Sequence, residues 1–218
     1  LISVATATKF GVGPSPGCCQ HGAMSAALPV LCICGPSAAG KTTFALALAE
    51  ALRQGGHQPL LITCDNYYRQ GWHPHPRFGF DTLAAIDEEA LRRDVSSARY
   101  GQADMLRQYD MRTRLVTCHP VTTPYDMVLI EGAYGPQLLL DFPLAGLLYV
   151  ETPLLLRLWR RLKRDVRERQ RSPLYVIRQM LLQMLPGERR FIVPLRHRAT
   201  HVIQGQNPDM ETVQQMLD

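Results

Sequence analysis

Gly35-Pro36-Ser37-Ala38-Ala39-Gly40-Lys41-Thr42 decides the fold of this chain. The run has the form G-x-x-x-x-G-K-[ST], a loop that cradles phosphates. Glycines let the backbone turn tightly enough for several N–H groups to aim at one point. A helix that follows adds the positive end of its dipole. Lys41 supplies a full charge for the β- and γ-phosphates, and the Thr42 hydroxyl can ligate Mg²⁺. The flanks agree with this reading. Residues 28–34 are apolar throughout, as a buried parallel strand should be. Residues 43–52 read as a helix ended by Gly55-Gly56. Gly35, Ser37, Ala38, Ala39, Gly40, Lys41, Thr42 and Thr43 are the expected ATP-binding residues.

With 218 residues, 46% of them apolar, the chain is long enough for one α/β domain with a sizeable core. The net charge of +5 is concentrated locally: residues 157–171 hold seven arginines, one lysine and two acids. Such a run could meet nucleic acid. A lid that grips nucleotide phosphates explains it better, because the loop already demands that ligand. The six cysteines show no paired metal spacing, and Cys32, Cys34 and Cys64 read as small core residues in a reducing, cytoplasmic compartment. No segment has the ~18 consecutive apolar residues that a membrane span needs, so no membrane partner is expected. Residues 1–23, rich in Gly, Pro, Ser, Thr and Ala, read as a disordered N-terminal extension or leader. Met24, just before the first strand, opens a single domain over 24–218, with a lid at about 157–172.

Further strands are expected at 59–64, 125–130, 146–150 and 200–203. Residues 66–81 are aromatic and proline-broken, a loop long enough to be functional. Asp87 should cap a helix over 88–98 carrying the Glu88/Arg92 pair. Residues 105–115 would hold a short hairpin with Tyr109. Thr152-Pro153 should open a helix by the cap-then-proline rule, burying Leu155, Leu158, Trp159, Leu162 and Val166 on one face. Breaks are expected near Pro186-Gly187 and Pro194, and a closing helix over 209–217. Alternating strands and helices mean a three-layer P-loop NTPase fold: α/β, with a mainly parallel sheet and a helical lid.

In such sheets, ligands bind at the C-terminal ends of the strands. Three ends are marked here: one by the loop, one by Asp65, one by Glu131. Transfer of a phosphoryl group needs a bridging magnesium ion, a group to position the acceptor hydroxyl, and positive charge over the moving phosphoryl. Thr42, Asp65 and Glu131 are the candidate metal-site residues. Lys41 and Asp65 are the candidate catalytic pair.

These blocks resemble the uridine kinase and phosphoribulokinase family, most closely its uridine–cytidine kinases. Besides the loop, the likeness rests on Asp65-Asn66-Tyr67-Tyr68, Phe80-Asp81 with Ile86-Asp87, Tyr109-Asp110, Leu129-Ile130-Glu131-Gly132 and the run from Arg160 to Arg169. The resemblance implies an ATP- and Mg²⁺-dependent kinase acting on a primary hydroxyl, with a nucleoside such as uridine or cytidine as its small-molecule partner. By it, Asp65 takes the proton of the sugar hydroxyl and Glu131 is the second magnesium-associated acid. Asp81 holds ribose hydroxyls, since a carboxylate can accept two hydrogen bonds at once. Tyr109 belongs to the nucleoside pocket. Arg164 and Arg169 face phosphates, Arg161 and Arg171 lean toward the acceptor, and Gln179 falls at a nucleoside-contacting position. Taken alone, Tyr109 reads equally as core and Gln179 as a plain polar residue. A homo-oligomeric state is left open.

Three departures bear on the acceptor. Thr82-Leu83 stand where the family usually shows His-Pro, and Arg169-Gln170-Arg171 replaces the usual Arg-Gly-Arg. Arg114 stands near the place where uridine–cytidine kinases carry a histidine that reads the base. An arginine only donates hydrogen bonds and is permanently charged, so it cannot copy a neutral histidine that accepts one. A kinase of the same fold for a sugar phosphate, a pantothenate-like acid or a glycerate is the alternative that Arg114 motivates. A nucleotide-dependent switch or nucleic-acid-binding ATPase is the third.

Overall fold

The computed structural model describes residues 26–204. Five strands form a wholly parallel sheet: β1 (Val30–Cys34), β2 (Pro59–Thr63), β5 (Met127–Glu131), β6 (Gly146–Glu151) and β7 (His201–Gln204), in the order β2-β5-β1-β6-β7. β1 and its neighbour β5 are buried along their length, which explains their apolar runs. Side chains alternate between two cores. Leu31, Ile33, Met127, Leu129, Leu148 and Val150 pack under α1 (Lys41–Gln54), which contributes Phe44, Leu48 and Leu52. Cys32, Cys34, Val128, Ile130 and Tyr149 face the other layer, with Leu91 and Val95 of α2 (Glu88–Arg99). Cys32, Cys34 and Cys64 are buried free thiols, as small core residues should be.

Asp87 caps α2 by accepting from the Ala90 N–H, and its other oxygen takes the Arg107 guanidinium at 2.8 Å. Glu88 and Arg92 are 3.9 Å apart, but Arg92 bonds chiefly to Asp141. The hairpin is longer than its sequence suggests: β3 (Met105–Tyr109) pairs antiparallel with β4 (Val116–Pro120), and Arg114 sits at the turn with φ 62°.

The structure corrects three expectations. Thr152 does not cap the next helix: its hydroxyl donates to the Ala39 carbonyl at 2.8 Å, and Pro153 is the cap residue of α3 (Leu154–Arg167). That helix also buries its expected apolar face only in part. Arg157, Arg161 and Asp165, spaced i, i+4, i+8, are the buried stripe, while Leu155 is 81% and Trp159 57% exposed. Leu158, Leu162 and Val166 do pack, against a small cluster of Val176, Met180 and Met184. Ion-pair partners for the charged stripe, supplied from distant segments, outweigh the apolar pattern.

Nor does Pro186-Gly187 break the chain. α4 (Pro173–Gln179) runs on through π-type turns at Met180–Met184 and Glu188–Ile192, with Leu185–Gly187 helical between them, into a 3-10 turn at Val193–His197. The wider turns accommodate a proline that lacks its N–H. Gly187 is required there because a Cβ would collide with the Asp81 carbonyl and crowd the Tyr134 hydroxyl. The leader at 1–23 and the closing helix at 209–217 lie outside the described residues.

Candidate active site

The loop between β1 and α1 carries left-handed backbone at Ala38 (φ 58°) and Gly40 (φ 94°). At Gly35 (φ 138°) a Cβ would run into the Val150 carbonyl of the adjacent strand. The loop is tied down along its length. Lys41 Nζ folds back to the Pro36 carbonyl at 3.0 Å, and Thr152 holds Ala39. The Ser37 N–H donates to Glu188 Oε1 at 2.8 Å. Burial lowers the Lys41 pKa, a pull opposed by Glu131, Asp65 and Glu188 around it.

The strand register brings the acids to the loop. Glu131 ends β5 and lies opposite Thr63, the last residue of β2, so Asp65 in the short turn Cys64–Tyr67 falls beside it. The Thr42 hydroxyl donates to Glu131 Oε1 at 3.2 Å. Glu131 is 3% exposed. Burial, and then the neighbouring Asp65, push its carboxyl pKa up to about 7, against Lys41 and the hydrogen bonds of Thr42 and Thr63. A hydroxyl and two carboxylates beside a phosphate cradle form an oxygen-only donor set. Such a set suits a hard cation that keeps its water and shares substrate phosphates. Among the described residues no group of three or more His, Cys, Asp or Glu could hold a metal by itself.

On the opposite wall lies an arginine cluster built around one acid. Asp165 is fully buried, and Arg164 (3.1 Å), Arg171 (3.5 Å), Arg169 (3.6 Å) and Arg161 (3.9 Å) all approach its oxygens. Burial and the adjacent Arg164 lower the Arg169 pKa. Gln170 holds the turn between Arg169 and Arg171 at φ 53°, a left-handed conformation that a glycine adopts without strain. Arg161 reaches across to Asp81 at 3.3 Å and to the Ser37 hydroxyl at 3.1 Å. Its burial opposes the charged form, but Asp81 and Asp165 more than offset that, and its pKa is raised.

Beyond Asp81 the cavity is aromatic. Tyr68 packs edge-on to Phe80 at 6.2 Å and tilted on Tyr109 at 5.8 Å, and the Arg114 guanidinium lies over the Phe80 ring at 5.2 Å. Tyr109 thus serves as core and as cavity wall at once. Gln179 Oε1 accepts from Arg171 at 3.2 Å at the same wall, so it is not a plain surface residue. Tyr134 is buried beside Asp81, and its hydroxyl has no hydrogen-bond partner.

One cavity of about 320 Å³ collects nearly all of the predicted residues: Ser37, Ala38 and 40–43 of the loop, Asp65, Asp81, Tyr109, Arg114, Glu131, the four arginines and Gln179. Gly35 and Ala39 do not line it; they shape the loop from behind. Sequence reasoning missed Tyr68, Phe80, Tyr134, Asp165 and Glu188. Tyr68, Phe80 and Asp165 stand inside the blocks that carry the family resemblance. Nothing local marks Glu188, which reaches the loop from 151 residues away in the chain.

A loop-and-helix phosphate cradle at the carboxyl edge of a parallel sheet, flanked by two acids and an arginine cluster, defines a P-loop phosphotransferase. The pattern of the Phosphoribulokinase / Uridine kinase family matches residues 30–212, and the chain belongs to that family. A uridine kinase of Chloroflexus aggregans is 33% identical over 185 residues, 81% of this chain and 86% of the relative. A solved structure from Bacillus stearothermophilus, described as a possible uridine kinase, superposes with a TM-score of 0.60 at 20% identity, covering 82% of this chain and 89% of that one. Phosphoribulokinase from Rhodobacter spheroides superposes with a TM-score of 0.54 at 17% identity, covering 83% and 71%. The protein is therefore a phosphotransferase acting on a hydroxyl group, with ATP as the donor its family implies. No helix among the described residues is long and apolar enough to cross a membrane.

Proposed function

We propose that the protein transfers the γ-phosphoryl group of ATP to the 5′-hydroxyl of a nucleoside such as uridine or cytidine. One observation carries this reading: Asp65, Glu131, Lys41 and Thr42 share a single cavity with Asp81 and the aromatic group of Tyr68, Phe80 and Tyr109. The loop amides and Lys41 hold the donor phosphates. Thr42 and Glu131, with Asp65 nearby, hold Mg²⁺, which supplies charge neutralisation at the phosphates when bound. Asp65 accepts the proton of the acceptor hydroxyl, and Asp81 accepts hydrogen bonds from the ribose diol. The aromatic rings offer flat faces to a base. Arg164 and Arg169 face the phosphates, while Arg161, Arg171, Arg114 and Gln179 serve the acceptor side. Closure of this arginine-bearing segment over bound substrates excludes water and suppresses hydrolysis. The same reading makes the chain one catalytic domain working in the reducing cytoplasm, which the buried free thiols support.

Arg114 favours a second reading. A permanently charged guanidinium at the aromatic wall also suits an acceptor with a carboxylate or phosphate. ATP and Mg²⁺ presented with nucleosides, sugar phosphates and hydroxy acids, with products read by mass spectrometry, separate the two. Turnover confined to nucleosides is expected; turnover confined to anionic acceptors overturns the first reading in favour of the second.

A further inference from the structure

Ser37, the third residue of the phosphate loop, is held at every polar atom. Its N–H donates to Glu188 Oε1 at 2.8 Å, its carbonyl accepts from Arg157 Nη1 at 3.2 Å, and its hydroxyl accepts from Arg161 Nη1 at 3.1 Å. Glu188 and Arg157 also pair with each other, one guanidinium nitrogen lying 2.9 Å from both carboxylate oxygens. Both side chains are nearly inaccessible, at 3% and 9% exposure. Two ions are thus taken out of water behind the loop, at a desolvation cost that an apolar pair of similar volume would avoid.

Next in the chain stands Ala38, a non-glycine residue at φ 58°. A side chain in that conformation is strained and persists only where its surroundings over-determine it. The backbone direction at Ala38 sets where the following loop amides point. Lys41 and Thr152 hold the residues on either side, through the carbonyls of Pro36 and Ala39. At Ser37 the restraint comes from two elements remote in sequence: the inward stripe of α3 and the π-type turn after Gly187 that delivers Glu188. A π-type turn re-aims a side chain by about one residue relative to an α-helix.

We propose that Glu188, with Arg157 as its counter-ion, is a positioning residue for the donor. Its carboxylate anchors the Ser37 N–H and so holds the strained loop in the phosphate-binding shape before ATP arrives. It touches neither substrate. This inference rests on the loop being the ATP site, which binding of ATP to the unaltered protein checks by itself, with no acceptor present.

Two substitutions separate positioning from mere stability. Glu188→Gln keeps an oxygen to accept the Ser37 N–H but leaves Arg157 buried without a counter-charge. Arg157→Met with Glu188→Met removes both charges at similar volume and frees the Ser37 N–H and carbonyl, leaving only the hydroxyl held by Arg161. Melting temperature, ATP dissociation constant and the separate KM values are measured for each. Glu188→Gln is expected to melt lower yet bind ATP within about threefold of the unaltered protein. The double methionine variant is expected to melt close to the unaltered protein but bind ATP about 10- to 100-fold more weakly, as loss of a hydrogen bond to a charged group implies. Its KM for the acceptor should stay within about twofold. ATP affinity that follows melting temperature across the series, lost in Glu188→Gln and kept in the double variant, overturns the proposal. Should the double variant fail to fold, Glu188→Gln decides alone: ATP affinity lost together with stability is the overturning result.

Discussion

Replacing Asp165 by asparagine tests the reading of the arginine wall most directly. The substitution preserves shape and removes one negative charge from the centre of four guanidinium groups. Truncating one partner of a fully buried pair costs about 3–5 kcal/mol, while a solvent-exposed pair is worth about 0–1 kcal/mol. The four partners divide between these cases. Arg161 is 6% exposed but 3.9 Å away and retains Asp81. Arg164, Arg169 and Arg171 are 26–36% exposed and can turn toward water. The net cost should therefore fall below the buried limit, at about 2–3 kcal/mol. For a domain of this size that lowers the melting temperature by roughly 4–12 °C. A second sign distinguishes charge from packing. The variant carries one more uncompensated positive charge facing the cavity, so triphosphate should raise its melting temperature by more than it raises that of the parent. Thermal melts at several ATP concentrations, with urea melts for the free energy, read both effects. A variant as stable as its parent, or one that ATP rescues no better, would refute the account of Asp165 as the counter-charge that holds these arginines.

Glu131 makes the ligand-free protein pH-sensitive. Its carboxyl titrates at about 7 when folded against an ordinary 4.5, so between those values the folded state binds more protons and stability falls as pH rises. The loss approaches about 3 kcal/mol by pH 8, and Glu131→Gln should flatten it in metal-free urea melts; an unchanged slope sinks the assignment. Asp65→Asn should leave ATP binding within a few-fold and lower turnover about 10²- to 10⁴-fold, the usual worth of a general base; stopped-time product assays at saturating substrates check this. Tyr134→Phe removes a buried hydroxyl without a partner and should stabilise the free protein by about 1 kcal/mol in urea melts; a loss of stability would mean the hydroxyl is bonded in solution.

What could be read in the sequence was whatever depends on neighbours in the chain. The loop from Gly35 to Thr42, the apolar strand before it and the helix after it form one local unit with one spacing. The acids Asp65 and Glu131 follow apolar strands directly, so a parallel sheet alone carries them to the same edge. Tertiary structure decided the rest, and the reason is competition between distant partners. Apolar spacing missed the most deeply buried stripe of α3, because Asp81 and Glu188 offer Arg161 and Arg157 buried counter-charges that no local pattern reveals. Thr152 looked like a helix cap and instead donates to the loop at Ala39, 113 residues earlier. Pro186-Gly187 looked like a break, yet the proline sits between π-type turns and the glycine admits the Asp81 carbonyl. The donor cradle is therefore a property of contiguous sequence. Its anchoring at Ser37, and the arginine wall around Asp165, exist only once α3 and the helical run after it are in place.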